Sequence, residues 1–202
     1  TINDIGVGDV DSDGDLDVIA RSGSNTRYMN WFENDGSTDP SWSRNIVESS
    51  QWTNFGSSFY LVDLDTDGDL DIASGGSTNW YENNGASDPS FTRNLLASSE
   101  NEVAFGDLDN DGDIDLVSGR SHSSGGSNDE PLYWYEHNGA ANPSWGQKTI
   151  SAIENNFRDA HVVDIDQDGD LDILAADNEG IHFWESNSAD INVQNQAIAG
   201  TD

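Results

Sequence analysis

The sequence predicts an all-β fold, a β-propeller built from four-stranded antiparallel blades, with four blades in its 202 residues. Three observations predict this fold. A loop of alternating aspartates begins at residues 9, 63, 107 and 164. Short apolar segments flank each loop, and a Trp-aromatic-Glu segment follows it. Repeats of roughly 40 to 50 residues with several short strands in each are typical of propeller blades.

The first three strands of each unit follow from the pattern of apolar residues. A segment such as "FYLV" (59–62) or "HVV" (161–163) precedes the acidic loop and predicts the first strand. After the loop, apolar residues alternate with an aspartate, which is the two-residue period of a strand. The third strand ends in Asn-Gly turn chemistry in most units. It reads "WFENDG" (31–36), "WYENNG" (80–85), "WYEHNG" (134–139) and, more weakly, "FWESNS" (183–188).

A Pro-Ser-aromatic segment predicts the start of the fourth strand in three units. It reads "DPSWSRNIV" from Asp39, "DPSFTRNLL" from Asp88 and "NPSWGQKTI" from Asn142. The fourth unit ends instead in "ADINVQNQAIAGTD", so this signature leaves its fourth strand unpredicted. Gly8 and Gly106 predict an innermost first strand where backbones approach closely. The predicted blades, within one domain, are residues 1–50, 51–98, 99–152 and 153–202.

Composition excludes several classes of partner. The chain has 39 acidic and 7 basic residues and a formal net charge of −32. Such a surface repels nucleic acid and anionic membranes, so neither is an expected partner. No apolar run is long enough to enter and span a bilayer, and the absence of Cys excludes disulfides and thiolate metal sites. Without an initiator Met or a signal peptide, the sequence is expected to be a processed or excised segment.

The acidic loops predict cation sites. Each loop carries aspartates at positions 1, 3, 5, 7 and 9 and a glycine at position 6, a pattern of oxygen ligands that suits a hard cation. The side chains at positions 1, 3, 5 and 9 and the backbone carbonyl at position 7 are the predicted ligands, with one Ca²⁺ in each of the four loops. Calcium suits an all-protein cage better than magnesium, which keeps its waters. The predicted metal residues are Asp9, Asp11, Asp13, Asp15, Asp17, Asp63, Asp65, Asp67, Asp69, Asp71, Asp107, Asp109, Asp111, Asp113, Asp115, Asp164, Asp166, Asp168, Asp170 and Asp172.

Other acidic calcium loops do not fit. An EF-hand or dockerin loop needs an acidic residue at position 12 followed by a helix, whereas position 12 here is Ala20, Ser74, Ser118 or Ala175. The thrombospondin calcium repeat depends on Cys. A metal-free solvated turn is disfavoured because five neighbouring carboxylates repel one another.

The loop D-x-D-x-D-G-x-x-D between two strands, with Phe105-Gly106 before its third copy, resembles the FG-GAP or VCBS repeat of integrin-type propellers. The resemblance covers nearly the whole chain. It implies a calcium ion in the loop that joins the first and second strands of each blade. Propellers of that family usually have seven blades. The four blades here either close alone or belong to a larger ring completed by further sequence or by a second copy, and the family's larger rings favour the second arrangement.

Recurring aromatic and acidic residues have mainly structural interpretations. Trp31, Trp80, Trp134 and Phe183 are expected to pack between blades, and Glu33, Glu82, Glu136 and Glu185 to hold a turn or a blade contact. Among the histidines, His161 is expected to pack within a strand and His137 to replace the turn asparagine. The candidate ligand-contact residues are Trp52, Trp42, Trp145 and His122, which lie beside turns or in long links where recognition usually occurs. For Trp42 and Trp145, core or inter-blade packing is the favoured alternative role.

These features favour a secreted or cell-surface calcium-binding module for recognition or adhesion, with a glycan or an extracellular protein as its partner. No catalytic constellation is present, so the protein is not expected to be an enzyme. Two other functions stay open. One is a non-catalytic accessory region of a secreted polysaccharide-degrading enzyme, and the other is a calcium-stabilised surface or filament protein.

Overall fold

The fold is described by a computed structural model of the chain. It describes residues 2–22, 27–50, 59–75, 79–96, 102–119, 130–141, 143–153, 157–177, 180–186 and 191–200. The secondary structure of these residues is entirely β, in four separate sheets of four strands. No helix within the described ranges is long and apolar enough to cross a membrane.

Each sheet contains four strands that are consecutive in the sequence and lie side by side in chain order. Blade 1 consists of β1 (Ile2–Gly8), β2 (Asp17–Ser22), β3 (Arg27–Asn34) and β4 (Trp42–Ser50). Blade 2 consists of β5 (Phe59–Val62), β6 (Asp71–Ser74), β7 (Asn79–Asn83) and β8 (Phe91–Leu95). Blade 3 consists of β9 (Glu102–Gly106), β10 (Asp115–Gly119), β11 (Glu130–His137) and β12 (Trp145–Ile153). Blade 4 consists of β13 (Asp159–Val163), β14 (Asp172–Ala176), β15 (Gly180–Ser186) and β16 (Ile191–Gly200).

All neighbouring strands pair antiparallel, which confirms the predicted propeller blades. The first pairing of every blade places the ninth loop aspartate opposite the last residue of the first strand, as in Asp17 with Gly8 and Asp115 with Gly106. Blade 4 has a fourth strand although it lacks the Pro-Ser-aromatic segment. This strand pairs with β15 through backbone groups and accommodates two register shifts, so the signature is not required for pairing.

The chain divides into two compact units, Thr1–Ser98 and Ser99–Asp202, each of two blades. The core of the first unit joins blade 1 to blade 2 and contains Val10, Ile19, Met29, Trp31, Phe59, Ile72 and Tyr81. The core of the second unit joins blade 3 to blade 4 and includes Leu108, Val117, Trp134, Phe157, Ile173 and Trp184. Trp31 and Trp134 therefore pack between blades, as predicted.

The crowding predicted at Gly8 and Gly106 is present, but its cause differs from the prediction. A Cβ atom at Gly8 would lie 2.8 Å from Cδ1 of Leu70 in blade 2, and one at Gly106 would lie 2.6 Å from Cγ1 of Val162 in blade 4. The glycines thus make room for side chains of the next blade rather than for a backbone.

The prediction that His161 packs within a strand is wrong. His161 lies in β13, but its side chain is largely exposed, 3.5 Å from the carboxylate of Asp159. Ala160 and Val162 take the side of the strand that faces blade 3, so the alternation along β13 turns His161 outward.

Candidate metal centres

Each acidic loop joins the first two strands of its blade and turns through two left-handed residues. The glycine at position 6 has φ between 96° and 102° in all four loops, as predicted from its lack of a Cβ atom. Position 4 also has positive φ, at Ser12, Thr66, Asn110 and Gln167. This second left-handed residue has no clear sequence signal, because only asparagine of these four is enriched in that conformation.

Backbone N–H groups hold the first aspartate of the loop in place. In blade 3, Asp107 accepts hydrogen bonds from the N–H groups of Asp111 and Gly112, both at 3.0 Å. In blade 1, Asp9 accepts the equivalent two bonds, also at 3.0 Å. The aspartate at position 5 accepts a bond from the N–H of position 7 in every loop. The carboxylates are therefore oriented by the backbone before any ion binds.

The ninth aspartate ties three parts of its blade together. Asp71 is fully buried and accepts hydrogen bonds from the N–H of Leu64 in the loop (3.0 Å) and of Asn83 at the end of β7 (2.8 Å). Asp17, Asp115 and Asp172 make the same pair of bonds in their blades. This aspartate is thus a structural residue as well as a predicted ligand.

Burial also changes the acidity of these carboxyl groups. It raises the pKa of Asp71 and of Asp115 to about 7, against the opposing effect of the N–H groups that donate to them. Burial, with the charge of Asp67 next, raises the pKa of Asp65 to about 6. A bound cation would favour the ionised forms.

Oxygen atoms of three aspartates lie within 4.8 Å of one another in every loop. Positions 1 and 3 belong to each group. The third member is the aspartate at position 5 in blades 1 and 3 (Asp13 and Asp111) and the aspartate at position 9 in blades 2 and 4 (Asp71 and Asp172). The side chains of position 7 lie outside these groups, and those of Asp15, Asp69 and Asp113 lie against the glycine that ends the third-strand turn. The structure therefore gathers carboxylates that could hold a metal in four places.

Three buried carboxylate oxygens indicate that the loops fit a cation. Oδ1 of Asp63, of Asp109 and of Asp164 is buried and accepts no hydrogen bond from the described residues. Each belongs to a residue of a gathered group. A buried anionic oxygen without a partner is costly, and a hard cation would satisfy it.

The recurring glutamate of the third strand adds a carboxylate near each loop, and it is not among the ligands predicted from the sequence. Glu185 lies within 4.8 Å of Asp166 and Asp168. Burial and the neighbouring loop aspartates raise the pKa of Asp11 and of Asp109, and Glu33 and Glu136 add to that effect. The third strand and the loop are brought together by the fold and are distant in the sequence. The only sequence signal for the contact is that the glutamate recurs in all four units.

Two of these glutamates, Glu82 and Glu136, also make contacts within their blades, in line with the predicted turn or blade contact. Glu82 accepts a hydrogen bond from the side-chain amide of Asn94 at 3.0 Å, and Glu136 lies 2.8 Å from the ammonium group of Lys148. Both contacts join the third and fourth strands of one blade. Their carboxylates therefore lie between the acidic loop and the outer strand.

His137 replaces the turn asparagine, as predicted. Its Nδ1 accepts the N–H of Gly139 at 3.1 Å, just as Oδ1 of Asn34 accepts the N–H of Gly36 at 3.2 Å. The imidazole is buried and packs edge-on against Trp145, with 5.0 Å between ring centroids. The histidine is thus part of a turn.

The structure places two of the four predicted ligand-contact residues. Trp42, at the start of β4, is 47% exposed, and Trp145, at the equivalent position of β12, is half-buried against His137. Trp52 and His122 lie outside the described residues. A polar cleft of about 430 Å³ lies beside the acidic loop of blade 3, lined by residues that include Asp111, Asp113, Glu136, Asn138 and Ser144.

Comparison with known proteins supports the repeat assignment. A family model described as an FG-GAP-like repeat matches residues 9–74, 63–118 and 107–175. Each match begins at the first aspartate of one acidic loop and runs through the next loop. No curated protein is significantly similar in sequence.

A solved lectin structure from Agrocybe aegerita, described by its specific recognition of non-reducing terminal N-acetylglucosamine, has a similar fold. Its TM-score is 0.62 at 17% sequence identity, over 96% of this chain and 52% of the lectin chain. The chain thus spans about half the length of that lectin. Because the three repeat matches together cover most of its sequence, the chain belongs to the FG-GAP-like repeat family.

Proposed function

We propose that this protein is a calcium-loaded extracellular recognition module that binds carbohydrate without transforming it. The observation that carries the proposal is the polar cleft of about 430 Å³ beside the acidic loop of blade 3. Carboxylates, the Asn138 amide and the Ser144 hydroxyl surround it, and such groups suit the donors and acceptors of sugar hydroxyls. Its volume falls within the range of roughly 300 to 1,000 Å³ that is usual for ligand sites.

Calcium would be held in each loop by the side chains at positions 1, 3, 5 and 9. The ion supplies positive charge, which neutralises the gathered carboxylates and satisfies the buried oxygens of Asp63, Asp109 and Asp164. It stabilises the native chain by binding to it preferentially. Extracellular calcium modules typically have dissociation constants of about 10⁻⁴ to 10⁻³ M. That range supports a secreted or cell-surface location, where calcium is abundant.

The aromatic residues at the start of two fourth strands, exposed Trp42 and half-buried Trp145, support a sugar ligand. Trp42 presents much of its ring to solvent, and both neighbours of Trp145 in the sequence line the cleft. An exposed aromatic face such as that of Trp42 suits the apolar side of a sugar ring. The Pro-Ser-aromatic segment recurs in three blades, so several weak sugar sites would act together. The fold shared with an N-acetylglucosamine-binding lectin makes glycans with that terminal sugar the first probes.

The proposal is tested on a glycan array with the calcium-loaded protein. We expect binding in millimolar calcium that is lost in chelator and weakened by at least tenfold in the variants Trp42→Ala and Trp145→Ala. Leu95→Ala removes another exposed apolar side chain, on β8, and serves as the matched control with unchanged binding. The bound glycan should be recovered with its mass unchanged, because the proposal includes no catalysis.

Two outcomes would contradict the proposal. One is the absence of binding to any glycan by a folded, calcium-loaded sample. The other is binding that neither tryptophan variant alters. Recovery of a cleaved glycan would overturn the non-catalytic part alone.

A further inference from the structure

In the contact between blades 1 and 2, apolar side chains of blade 2 pack on glycines of blade 1, and the second unit repeats this arrangement. Phe59 and Leu61 on β5, with Leu70 at loop position 8, fit against Gly6 and Gly8 of β1. A Cβ atom at Gly8 would lie 3.0 Å from Cδ1 of Leu61. In the second unit, Val162 and Leu171 occupy the positions of Leu61 and Leu70 and fit against Gly106.

Blade 1 carries the same apolar set with most of its surface exposed. Strand register makes Ile5, Val7 and Leu16 the equivalents of Phe59, Leu61 and Leu70. Their exposed fractions are 64%, 57% and 60%. Because side chains alternate along β1, Ile5 and Val7 point away from the side on which Gly6 and Gly8 meet blade 2. We call Ile5, Val7 and Leu16 the leading face.

Blade 4 exposes the other half of such a contact. Ile165, directly after the first loop aspartate, is 42% exposed, whereas its equivalents Val10 and Leu108 are each 1% exposed. The next blade covers those two residues and also donates a side-chain hydrogen bond to their carbonyl oxygens. Val163, at the position of Gly8 and Gly106, is 40% exposed. We call Val163 and Ile165 the trailing face.

We propose that the chain self-associates head to tail, with the leading face of one copy packed on the trailing face of a second copy. The leading face consists of the positions that pack on the preceding blade in blades 2 and 4. The trailing face consists of the positions that receive the next blade in blades 1 and 3. A second copy can therefore supply the missing partner of each face. Such a contact joins two different surfaces and can therefore close into a ring or extend further. This inference goes beyond carbohydrate binding and does not depend on it.

The first test is the mass of the protein in solution, measured by sedimentation in millimolar calcium and moderate salt, which screens the repulsion between acidic chains. We expect at least twice the mass of one chain at high concentration. Val7→Arg and Ile165→Arg should each give single chains. A mixture of the two variants should give dimers only, because one leading face and one trailing face stay intact. The control Leu95→Arg, at an exposed site on β8, should associate like the unchanged protein.

Crosslinking provides a second test that does not depend on a new charge. The chain has no Cys, so Val7→Cys and Val163→Cys introduce single thiols at positions equivalent to Leu61 and Gly8. A mixture of the two variants should form disulfide-linked dimers under oxidising conditions. The proposal is overturned if the unchanged protein has the mass of one chain at every concentration. It is also overturned if a chain with both substitutions forms its disulfide internally, which would show that its own blade 4 covers the leading face.

Discussion

The ninth aspartate of each loop shows that a predicted metal ligand can also be a structural residue. Asp115 is buried and accepts N–H groups from Leu108 and His137, which belong to the loop and to the third strand. Asp111 accepts one N–H within the loop and is exposed. The two residues belong to one predicted site, so their substitutions should separate the structural role from the metal role.

Asp115→Asn is expected to destabilise the protein by about 1 to 3 kcal/mol with or without calcium, because one of its two N–H partners loses its acceptor while buried. Asp111→Asn keeps an oxygen for the N–H of Asp113 and should change the calcium-free stability little, while it reduces the stabilisation that calcium provides. Urea unfolding in calcium and in chelator measures both effects. Equal losses for the two variants in chelator would contradict this distinction.

The raised pKa values of the buried carboxyl groups predict how stability depends on pH. Asp71 and Asp115 have a pKa of about 7 in the folded chain, against about 4 for an unfolded chain. Between these values the folded chain binds more protons than the unfolded chain, so this contribution to stability is complete below about pH 4 and is lost as the pH rises through 7.

The melting temperature in chelator is therefore expected to fall between pH 5 and 8. Calcium favours the ionised carboxylates, so the calcium-induced increase in melting temperature should grow over the same range. Asp115→Asn removes one titrating group and should flatten the pH dependence in chelator. A melting temperature that rises with pH in chelator would refute the assignment.

In blades 1 to 3, the turn after the third strand packs against the acidic loop of its own blade. Gly36 has a φ of 67°, and a Cβ atom there would collide with the carboxylate of Asp15. Gly14 also has a positive φ, of 99°, but nothing lies within 4 Å of the corresponding Cβ position. Gly14→Ala should thus cost only the left-handed strain, about 1 to 2 kcal/mol. Gly36→Ala should cost more, since Asp15 must also move. Urea unfolding of both variants in calcium tests this order, and equal losses would contradict it.

Much of each blade could be predicted from the sequence, because alternation and turn chemistry are local signals. The strands around the acidic loops and the left-handed glycines follow from them. The fourth strand of blade 4 could not be predicted, since β16 pairs through its backbone and carries no side-chain signature. The role of Glu185 depended on the distance between a strand and a loop. The prediction for His161 was wrong because alternation along a strand does not say which of two neighbouring residues faces the core. In β13 the buried residue is Ala160.

Among the whole blades, a side-chain hydrogen bond joins the two members of each unit, from an amide in the first unit and from the Ser186 hydroxyl in the second. The amide of Asn83 donates to the carbonyl oxygens of Val10 in blade 1 (2.8 Å) and of Leu70 (3.1 Å). Asn34, at the equivalent position of blade 1, is partly exposed and donates to Leu16 within its own blade.

Asn83→Ala is expected to cost about 1 to 3 kcal/mol, because it leaves a buried carbonyl oxygen without a donor. Asn34→Ala is the matched control and should cost less, since the carbonyl oxygen of Leu16 has access to water. Chemical unfolding in calcium compares the two. A loss at Asn34 as large as that at Asn83 would show that the bond between blades contributes little.

Calorimetric titration of calcium into the metal-free chain tests the proposal that the four acidic loops bind calcium and that the bound ions stabilise the fold. We expect about four ions per chain, one for each loop. Asp63→Ala should lower the count by one, and the melting temperature should rise as the ions bind. Absence of binding at millimolar calcium, with the same melting temperature in calcium and in chelator, would contradict it.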